Sequence, residues 1–161
     1  VQIRDIQQKM QMTAIFVTHD QEEAMSISDR VFVMHDGVIA QYGAPEEIYA
    51  NPGSEFVARF IGHYNVLQPE TAAKVFHMEA PACKVAAVRP EAISLTPTPD
   101  ALSFHGTVRL LSMLGSIIRY QVDCEGQVMH FEAVNQNART LRIGDEETFY
   151  LDRKDLLLIQ S

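Results

Sequence analysis

The spacing of apolar residues changes within the first twenty positions of the chain. Ile3, Ile6 and Met10 recur at helical intervals, which predicts a helix over residues 1–12. The segment TAIFVT, residues 13–18, is instead a continuous apolar run rich in residues that favour β-structure. Such a run is typical of a short strand buried on both faces, as in a parallel sheet.

An acidic turn follows this run and begins another helix. Asp20 offers a carboxylate at the N-cap position and Glu23 stands three residues later, which is the arrangement of a capping box. We expect both residues to cap the helix and support the loop. His19 lies one residue beyond the predicted strand, at the edge where ligands bind in open α/β sheets. A neutral imidazole there could hold a phosphate oxygen and a water, although spacing alone favours a surface or capping histidine.

Two turn signals organise the rest of the first region. Apolar stretches on both sides of Asp36–Gly37 predict a β-hairpin, and Pro45 and Gly62 predict the start and the stop of a pair of short helices. Residues 1–62 therefore resemble the end of an α/β domain. Residues 63–84 have no clear period and suggest a connection.

The pattern from residue 85 onward is that of an all-β domain. Two segments, 116–123 and 128–133, alternate apolar and polar residues, and Gly126 marks a turn between them. The side chains expected to face inward are Ile118, Tyr120, Val122, Met129, Phe131 and Ala133. Five or six short strands over residues 85–161 predict a small OB-like barrel.

Composition narrows the possible partners. The net charge is −8, with acidic and basic residues interspersed, which argues against nucleic acid because phosphate binding needs a basic patch. Cys83 and Cys124 are far apart and suggest packing residues. The spacing of His77, Met78 and Cys83 matches no known metal site, so we expect no metal ligands. Because the chain opens on Val1 in the middle of a helical pattern, we expect it to be part of a longer protein.

Three linked motifs in residues 13–62 carry a resemblance to a known family. VTHDQEEA, SDRVFVMHDGVIAQYG and APEEIYANP occur in order and almost without gaps. Together they resemble the end of the nucleotide-binding subunit of ABC-type importers, the C-terminal part of a P-loop ATPase domain. Residues 85–161 are similar to the TOBE regulatory domain that follows in importers of sugars, polyamines, ferric iron and phosphonates. VAAVRPEAISL and GTVRLLSMLGSIIRYQV carry this second resemblance.

The resemblance implies roles for particular residues. His19 corresponds to the switch histidine, which contacts the γ-phosphate of ATP and helps to organise the catalytic carboxylate and the water across an interface of two subunits. Arg89, Pro90 and Glu91 resemble an Arg–Pro–Glu motif of the TOBE domain. Arg89 and Glu91 are expected either to make a polar contact at a domain or subunit surface or to form a simple exposed ion pair.

The resemblance also implies cofactors, partners and location for the full-length protein. ATP and Mg²⁺ would be its cofactors, and membrane-spanning permease subunits and a second copy of the ATPase subunit its partners. It would be cytoplasmic and peripheral on the inner face of the cell membrane.

The 161 residues contain no G-x-x-x-x-G-K-[ST] phosphate loop, no signature loop and no strand ending in Asp–Glu. We therefore expect this chain alone to be inactive and to bind neither ATP nor Mg²⁺. Ile15, Phe16 and Val17 would lack their usual neighbours, which predicts a dimer contact, with exchange of elements as one form. The alternative function is a non-catalytic regulatory or dimerisation module, or one that senses a small ligand.

Overall fold

A computed structural model of the protein describes residues 2–135 and 140–161; Val1, at the start of the first predicted helix, lies outside them. The helices are α1 (Gln2–Met10), α2 (Gln21–Ile27), α3 (Pro45–Ala50), α4 (Glu55–Gly62) and α5 (Pro69–Phe76). The strands are β1 (Val31–His35), β2 (Val38–Gly43), β3 (Asn65–Leu67), β4 (Val85–Val88), β5 (Ile93–Ser94), β6 (Ala101–Leu114), β7 (Ile117–Cys124), β8 (Gln127–Val134), β9 (Glu146–Asp152) and β10 (Leu156–Ile159). Two 3₁₀ turns, Pro90–Ala92 and Arg153–Asp155, precede β5 and β10. Over these ranges no helix combines the length and the apolar character that crossing a bilayer requires.

Residues 13–18 do not form the predicted strand. The backbone from Met12 to Asp20 has no regular secondary structure. A strand needs a neighbour to receive its N–H and C=O groups, and none of the sheets in the described ranges includes this segment. Ile15 and Val17 are 93% and 90% exposed. The apolar composition of residues 13–18 therefore predicts that their side chains are buried, but no part of the described chain covers Ile15 and Val17.

The predicted hairpin and the two helices after it are confirmed. β1 and β2 pair antiparallel across Asp36 and Gly37, whose φ angles of 49° and 78° fit the tight turn that the sequence indicates. Pro45 opens α3 at its first turn. The residue that ends α4 in the left-handed conformation is His63, with φ 47°, and not Gly62 as predicted.

Gly62 is required for a different reason. It is the last residue of α4, and a Cβ at this position would lie 2.3 Å from Cε2 of Tyr64. Only glycine leaves room for the Tyr64 ring to fold back against the end of the helix.

Consecutive residues of α4 belong to two different apolar cores. Val57 packs with Val31, Val33 and Ile48 beneath the β1–β2 hairpin. Ala58 packs with Val85, Ala87 and Ile159 of the three-stranded sheet and with Tyr64, the residue directly before β3. One helix thus joins the first region to the β-domain by burial on two of its faces.

Residues 63–84, which the sequence suggests are a connection, contain β3 and α5. β3 has three residues and is too short to show alternation. In α5, Ala72, Val75 and Phe76 are buried in the main core of the β-domain. The segment is therefore part of the packed structure.

The β-domain consists of two sheets with antiparallel neighbours. The strand order is β10-β4-β3 in one and β5-β9-β6-β7-β8 in the other. The predicted inward residues of β7 and β8 are confirmed, because five are buried and Ala133 packs partly buried against the same core. The predicted fold class, an α/β segment followed by an OB-like β-domain, is confirmed.

Aromatic rings form a continuous line through the main core. Phe76 of α5 meets Phe104 edge to face with 5.5 Å between ring centroids, and Phe104 stacks on Phe149 at 5.4 Å. Phe149 in turn contacts Phe131, which stacks on Tyr120 at 5.3 Å. These offset and edge-to-face pairs add directional contacts to the apolar burial and fix α5 on the five-stranded sheet.

Asn65 joins the two sheets through its side chain. Its Nδ2 donates to the backbone oxygen of His130 at 2.8 Å, and its Oδ1 accepts from the backbone N–H of His130 at 2.6 Å. Nδ2 also donates to the oxygen of Val88 at 3.3 Å. The amide acts as a substitute for a strand at the edge of β8, and it is only 4% exposed.

Replacing Asn65 tests this link. Asn65→Ala leaves the N–H and C=O of His130 without these bonds in a partly buried setting, so we expect a loss of about 1–3 kcal/mol in the free energy of unfolding. Urea denaturation followed by circular dichroism measures the loss. Asn51→Ala is the matched control, because Asn51 is exposed and its hydrogen bonds run through its backbone. Equal stability of the two variants would contradict the assigned role.

Candidate functional site

His19 stands where the unpaired segment enters α2. Its side chain is exposed, and the next residue, Asp20, is the N-cap of the helix. The Asp20 backbone is extended, with φ −88° and ψ 114°, and its Oδ1 accepts from the N–H of Glu23 at 3.0 Å. Asp20 therefore caps the helix as the sequence predicts.

The other half of the capping arrangement runs through Thr18. Instead of a direct bond from the Asp20 N–H to Glu23, the Asp20 N–H donates to Oγ1 of Thr18 at 3.0 Å. That hydroxyl donates in turn to Oε2 of Glu23, also at 3.0 Å. The same hydrogen bonds thus fix Thr18 and Asp20, the residues on either side of His19. The sequence pattern alone does not predict a role for Thr18. The signal that could have indicated one is a hydroxyl five residues before Glu23.

The geometry at His19 suits contact with a ligand from outside the described residues. The network engages the residues on either side of the imidazole and leaves its exposed ring able to donate or accept a hydrogen bond. In the parts of the chain that the structure describes, no group of three or more His, Cys, Asp or Glu side chains is arranged to hold a metal ion.

Arg89 and Glu91 do not pair with each other. The Arg89 NH2 group donates to Oδ1 of Asp155 at 3.1 Å, and Oε1 of Glu91 accepts from the Tyr49 hydroxyl at 2.7 Å. The expectation of a simple exposed Arg89–Glu91 ion pair is therefore wrong. Pro90 lies between them, buried at the first position of the 90–92 turn. Glu91 makes a polar contact between the β-domain and α3.

Two tyrosines complete this second group. The Tyr64 hydroxyl donates to the backbone oxygen of Tyr49 at 2.7 Å, and the two rings lie 6.4 Å apart. Burial raises the pKa of Tyr64 to about 12, while the positive charge of Arg89 acts in the opposite direction. Burial and the bond to Glu91 raise the pKa of Tyr49 still further. Both phenols therefore stay protonated and remain donors at neutral pH. Sequence reasoning did not identify either tyrosine.

α3 connects the two groups. It contacts α2, which Asp20 caps, and its Tyr49 reaches Glu91. No hydrogen bond in the described part of the chain links His19 or its cap directly to Arg89 or Glu91. The predicted residues thus form two groups with one short helix between them.

An open groove of about 530 Å³ lies on the outer side of β6, β7 and β9. Its lining includes Asp123, Glu125, Glu146 and Glu147, together with His105. The hydrogen bond from the Gly126 N–H lowers the pKa of the Asp123 carboxyl. Arg109, which pairs with Asp123 at 3.0 Å, lowers it further. The acidic lining disfavours a small oxyanion in this groove.

Comparison with known proteins identifies the β-domain. Residues 86–159 match the TOBE domain family. Among solved structures, the cytoplasmic molybdate-binding protein ModG, with molybdate bound, is similar with a TM-score of 0.44 and 14% identity, covering 57% of this chain and 71% of that one.

Curated relatives extend the similarity beyond that domain. An Fe(3+) ions import ATP-binding protein of Rhizobium meliloti is 39% identical over 75% of this chain and 38% of its own length. A spermidine/putrescine import ATP-binding protein of Borreliella afzelii is 33% identical over 96% of this chain and 47% of its own length. A sulfate/thiosulfate import ATP-binding protein of Pseudomonas aeruginosa is 34% identical over 92% and 43%. The chain thus spans less than half the length of these relatives.

The similarity therefore covers both parts of the chain, the helices with the β1–β2 hairpin and the β-domain. The chain is homologous to the ATP-binding subunits of ABC importers, and its residues 86–159 form a TOBE domain.

Proposed function

We propose that this chain is the C-terminal part of an ABC importer subunit that couples ATP binding and hydrolysis to the import of a solute. One observation carries the proposal. The similarity to the Borreliella afzelii import protein covers 96% of the chain, so it includes His19 and all or nearly all of the TOBE domain. The shared sequence therefore includes the segment that would meet the nucleotide.

In this proposal His19 acts on the terminal phosphate. Its exposed imidazole donates a hydrogen bond to an oxygen of the γ-phosphate and helps to position the attacking water and the catalytic carboxylate. Such positioning and charge stabilisation are the usual basis of phosphoryl-transfer catalysis. The Thr18–Asp20–Glu23 network supports this role, because it fixes the backbone on both sides of the imidazole.

The residues present fit only one part of an ATP site. An imidazole suits a phosphate oxygen, but the chain has no glycine-rich loop with a lysine to surround the other phosphates, and no Asp–Glu strand end for Mg²⁺. ATP and Mg²⁺ are therefore cofactors of the longer subunit, whose other segments would hold them. The chain by itself is inactive in this proposal.

The partners and the location follow from the same proposal. The longer subunit pairs with a second copy and with membrane-spanning permease subunits on the cytoplasmic face of the cell membrane. Exposed apolar side chains support contact with further protein: Ile15 and Val17 before α2, and Phe32, Met34 and Tyr42 on the outer face of the β1–β2 hairpin. Such clustering is typical of surfaces that other protein covers.

A second candidate is a non-catalytic module that pairs two chains, by exchange of elements in one form. The same exposed residues support it, since pairing would bury Ile15 and Val17. Sensing of a small oxyanion is less well supported, because carboxylates line the groove on β6, β7 and β9.

Replacing His19 in the longer subunit tests its proposed role. We expect His19→Ala to lower the rate of ATP hydrolysis roughly 100-fold or more, because a contact made to the reacting phosphate is lost, and to spare most of the nucleotide binding. Steady-state hydrolysis and equilibrium binding measure the two effects. His105→Ala, at an exposed histidine of the β-domain, is the control. Full turnover by His19→Ala would refute the role.

Calorimetry on residues 1–161 tests the proposed inactivity of the chain alone. We expect no measurable heat of binding for Mg-ATP, because the residues that wrap the phosphates are not in the sequence. A full-length curated relative serves as the positive control in the same buffer. Micromolar binding to the chain alone would overturn the expectation.

Light scattering tests pairing through the exposed segment. We expect the chain to have twice the mass of its 18.1 kDa monomer. The double variant Ile15→Ser, Val17→Ser should return it to a monomer, because it removes the apolar side chains that would drive association. Val134→Ser is the matched control, since Val134 is 63% exposed but lies in the β-domain. A monodisperse wild-type monomer would count against pairing.

A further inference from the structure

The side chain of Thr18 closes a turn that has His19 at its centre. Oγ1 of Thr18 accepts from the backbone N–H of Asp20, two residues further along the chain, at 3.0 Å. A threonine hydroxyl that accepts from the second N–H after it forms an ST turn, which fixes the backbone of the residue between them. The chain bends at His19, as this turn requires. The direction in which the imidazole leaves the backbone therefore depends on the Thr18 hydroxyl.

Glu23 determines which way the Thr18 hydroxyl faces. A hydroxyl has one proton to donate, and the proton rotates to suit its partners. The backbone N–H of Asp20 can only donate and the carboxylate of Glu23 can only accept, so the hydroxyl accepts from the first and donates to the second, at 3.0 Å in each case. A hydrogen bond to a carboxylate is stronger than one to a neutral acceptor. Glu23 therefore holds the hydroxyl in the orientation that closes the turn.

The helix after the turn is held by contacts that do not involve Thr18. Asp20 caps α2 by accepting from the N–H of Glu23 at 3.0 Å, and Met25 packs against the apolar core beneath the β1–β2 hairpin. Before the turn, residues 13–17 belong to none of the sheets in the described ranges. Loss of the Thr18 hydroxyl would therefore leave α2 capped and packed, and would loosen only the turn that carries the imidazole.

We propose that Thr18 is a positioning residue, whose hydroxyl, oriented by Glu23, sets the direction in which the His19 imidazole meets the phosphate. The inference rests on the proposed function of His19 and adds a residue that acts through it. Thr18 and Glu23 touch no phosphate in this proposal. Their effect is on geometry, and a misplacement of about 1 Å at a reacting contact can lower a rate about 100-fold.

Thr18→Val in the longer subunit keeps the branched shape of the side chain and removes the hydroxyl. We expect kcat for ATP hydrolysis to fall about tenfold while KM for ATP is unchanged, because the imidazole loses its fixed direction and the segments that hold the nucleotide are not altered. Thr18→Ser keeps the hydroxyl and should retain kcat. Thr13→Val is the matched control, because Thr13 lies in the same segment and its side chain makes no hydrogen bond within residues 2–135 and 140–161. Unchanged kcat in Thr18→Val, or an equal loss in Thr18→Ser, would overturn the proposal.

The same substitution in a His19→Ala background tests whether Thr18 acts through the imidazole. Without the imidazole the turn has nothing to position, so we expect Thr18→Val to cause no further loss of kcat. A tenfold loss in both backgrounds would contradict the proposal. The comparison also separates this inference from the proposed function. Full turnover by His19→Ala alone defeats the role of His19, whereas a defective His19→Ala beside an active Thr18→Val defeats only the role of Thr18.

Amide exchange at Asp20 tests the turn on the 161-residue chain itself, without nucleotide. Thr18→Val deprives the Asp20 N–H of its acceptor, so we expect its exchange with water, measured by NMR at that amide, to become about fivefold faster. Glu23→Ala should also speed this exchange, because the hydroxyl is then free to turn away, whereas Glu23→Gln keeps an acceptor and should not. The N–H of Ala24, which donates to the backbone oxygen of Asp20 at 3.1 Å inside the helix, is the internal reference. Unchanged exchange at Asp20 in Thr18→Val would sink the proposal.

Discussion

The burial of α4 on two sides is the constraint on which the rest of the structure depends. Val57 faces the core beneath the β1–β2 hairpin, and Ala58, the next residue, faces the three-stranded sheet. Neither residue exposes its side chain to solvent, and the close packing of both cores allows little sliding. The apolar packing that sets the segment with His19 against the β-domain therefore runs through α4, and a shift in either core would be felt in the other.

Polar contacts refine what this burial establishes. Asn65 ties the three-stranded sheet to β8 by mimicking a strand, so the β-domain is a firm base for α4. The Tyr49–Glu91 bond then holds α3, which lies between that base and the helix after His19.

Local patterns in the sequence predict much of this fold, and non-local pairing explains what they miss. The Asp36–Gly37 turn and the alternation of Ile118, Tyr120 and Val122 depend on neighbours within a few residues, so they could be read directly. Residues 13–18 have the composition of a buried strand, but a strand also needs a partner, and composition does not reveal whether one is present. The sequence pattern does not predict β3 and α5, because a strand of three residues shows no alternation and a helix of eight residues shows little periodicity.

The candidate site shows the same difference between local patterns, which the sequence reveals, and contacts between distant residues, which it does not. His19, Asp20 and Glu23 lie within five positions, and both the capping chemistry and the resemblance locate them. The Tyr49–Glu91 contact joins residues 42 positions apart, and nothing local in either segment indicates it.

A structure of the longer subunit with ATP and Mg²⁺ bound tests the central claim most directly. The account predicts a nitrogen of the His19 imidazole about 3 Å from an oxygen of the terminal phosphate, and residues 13–18 paired as a strand with an upstream segment. A nucleotide bound with the imidazole turned away from its phosphates, or residues 13–18 still unpaired, would contradict it.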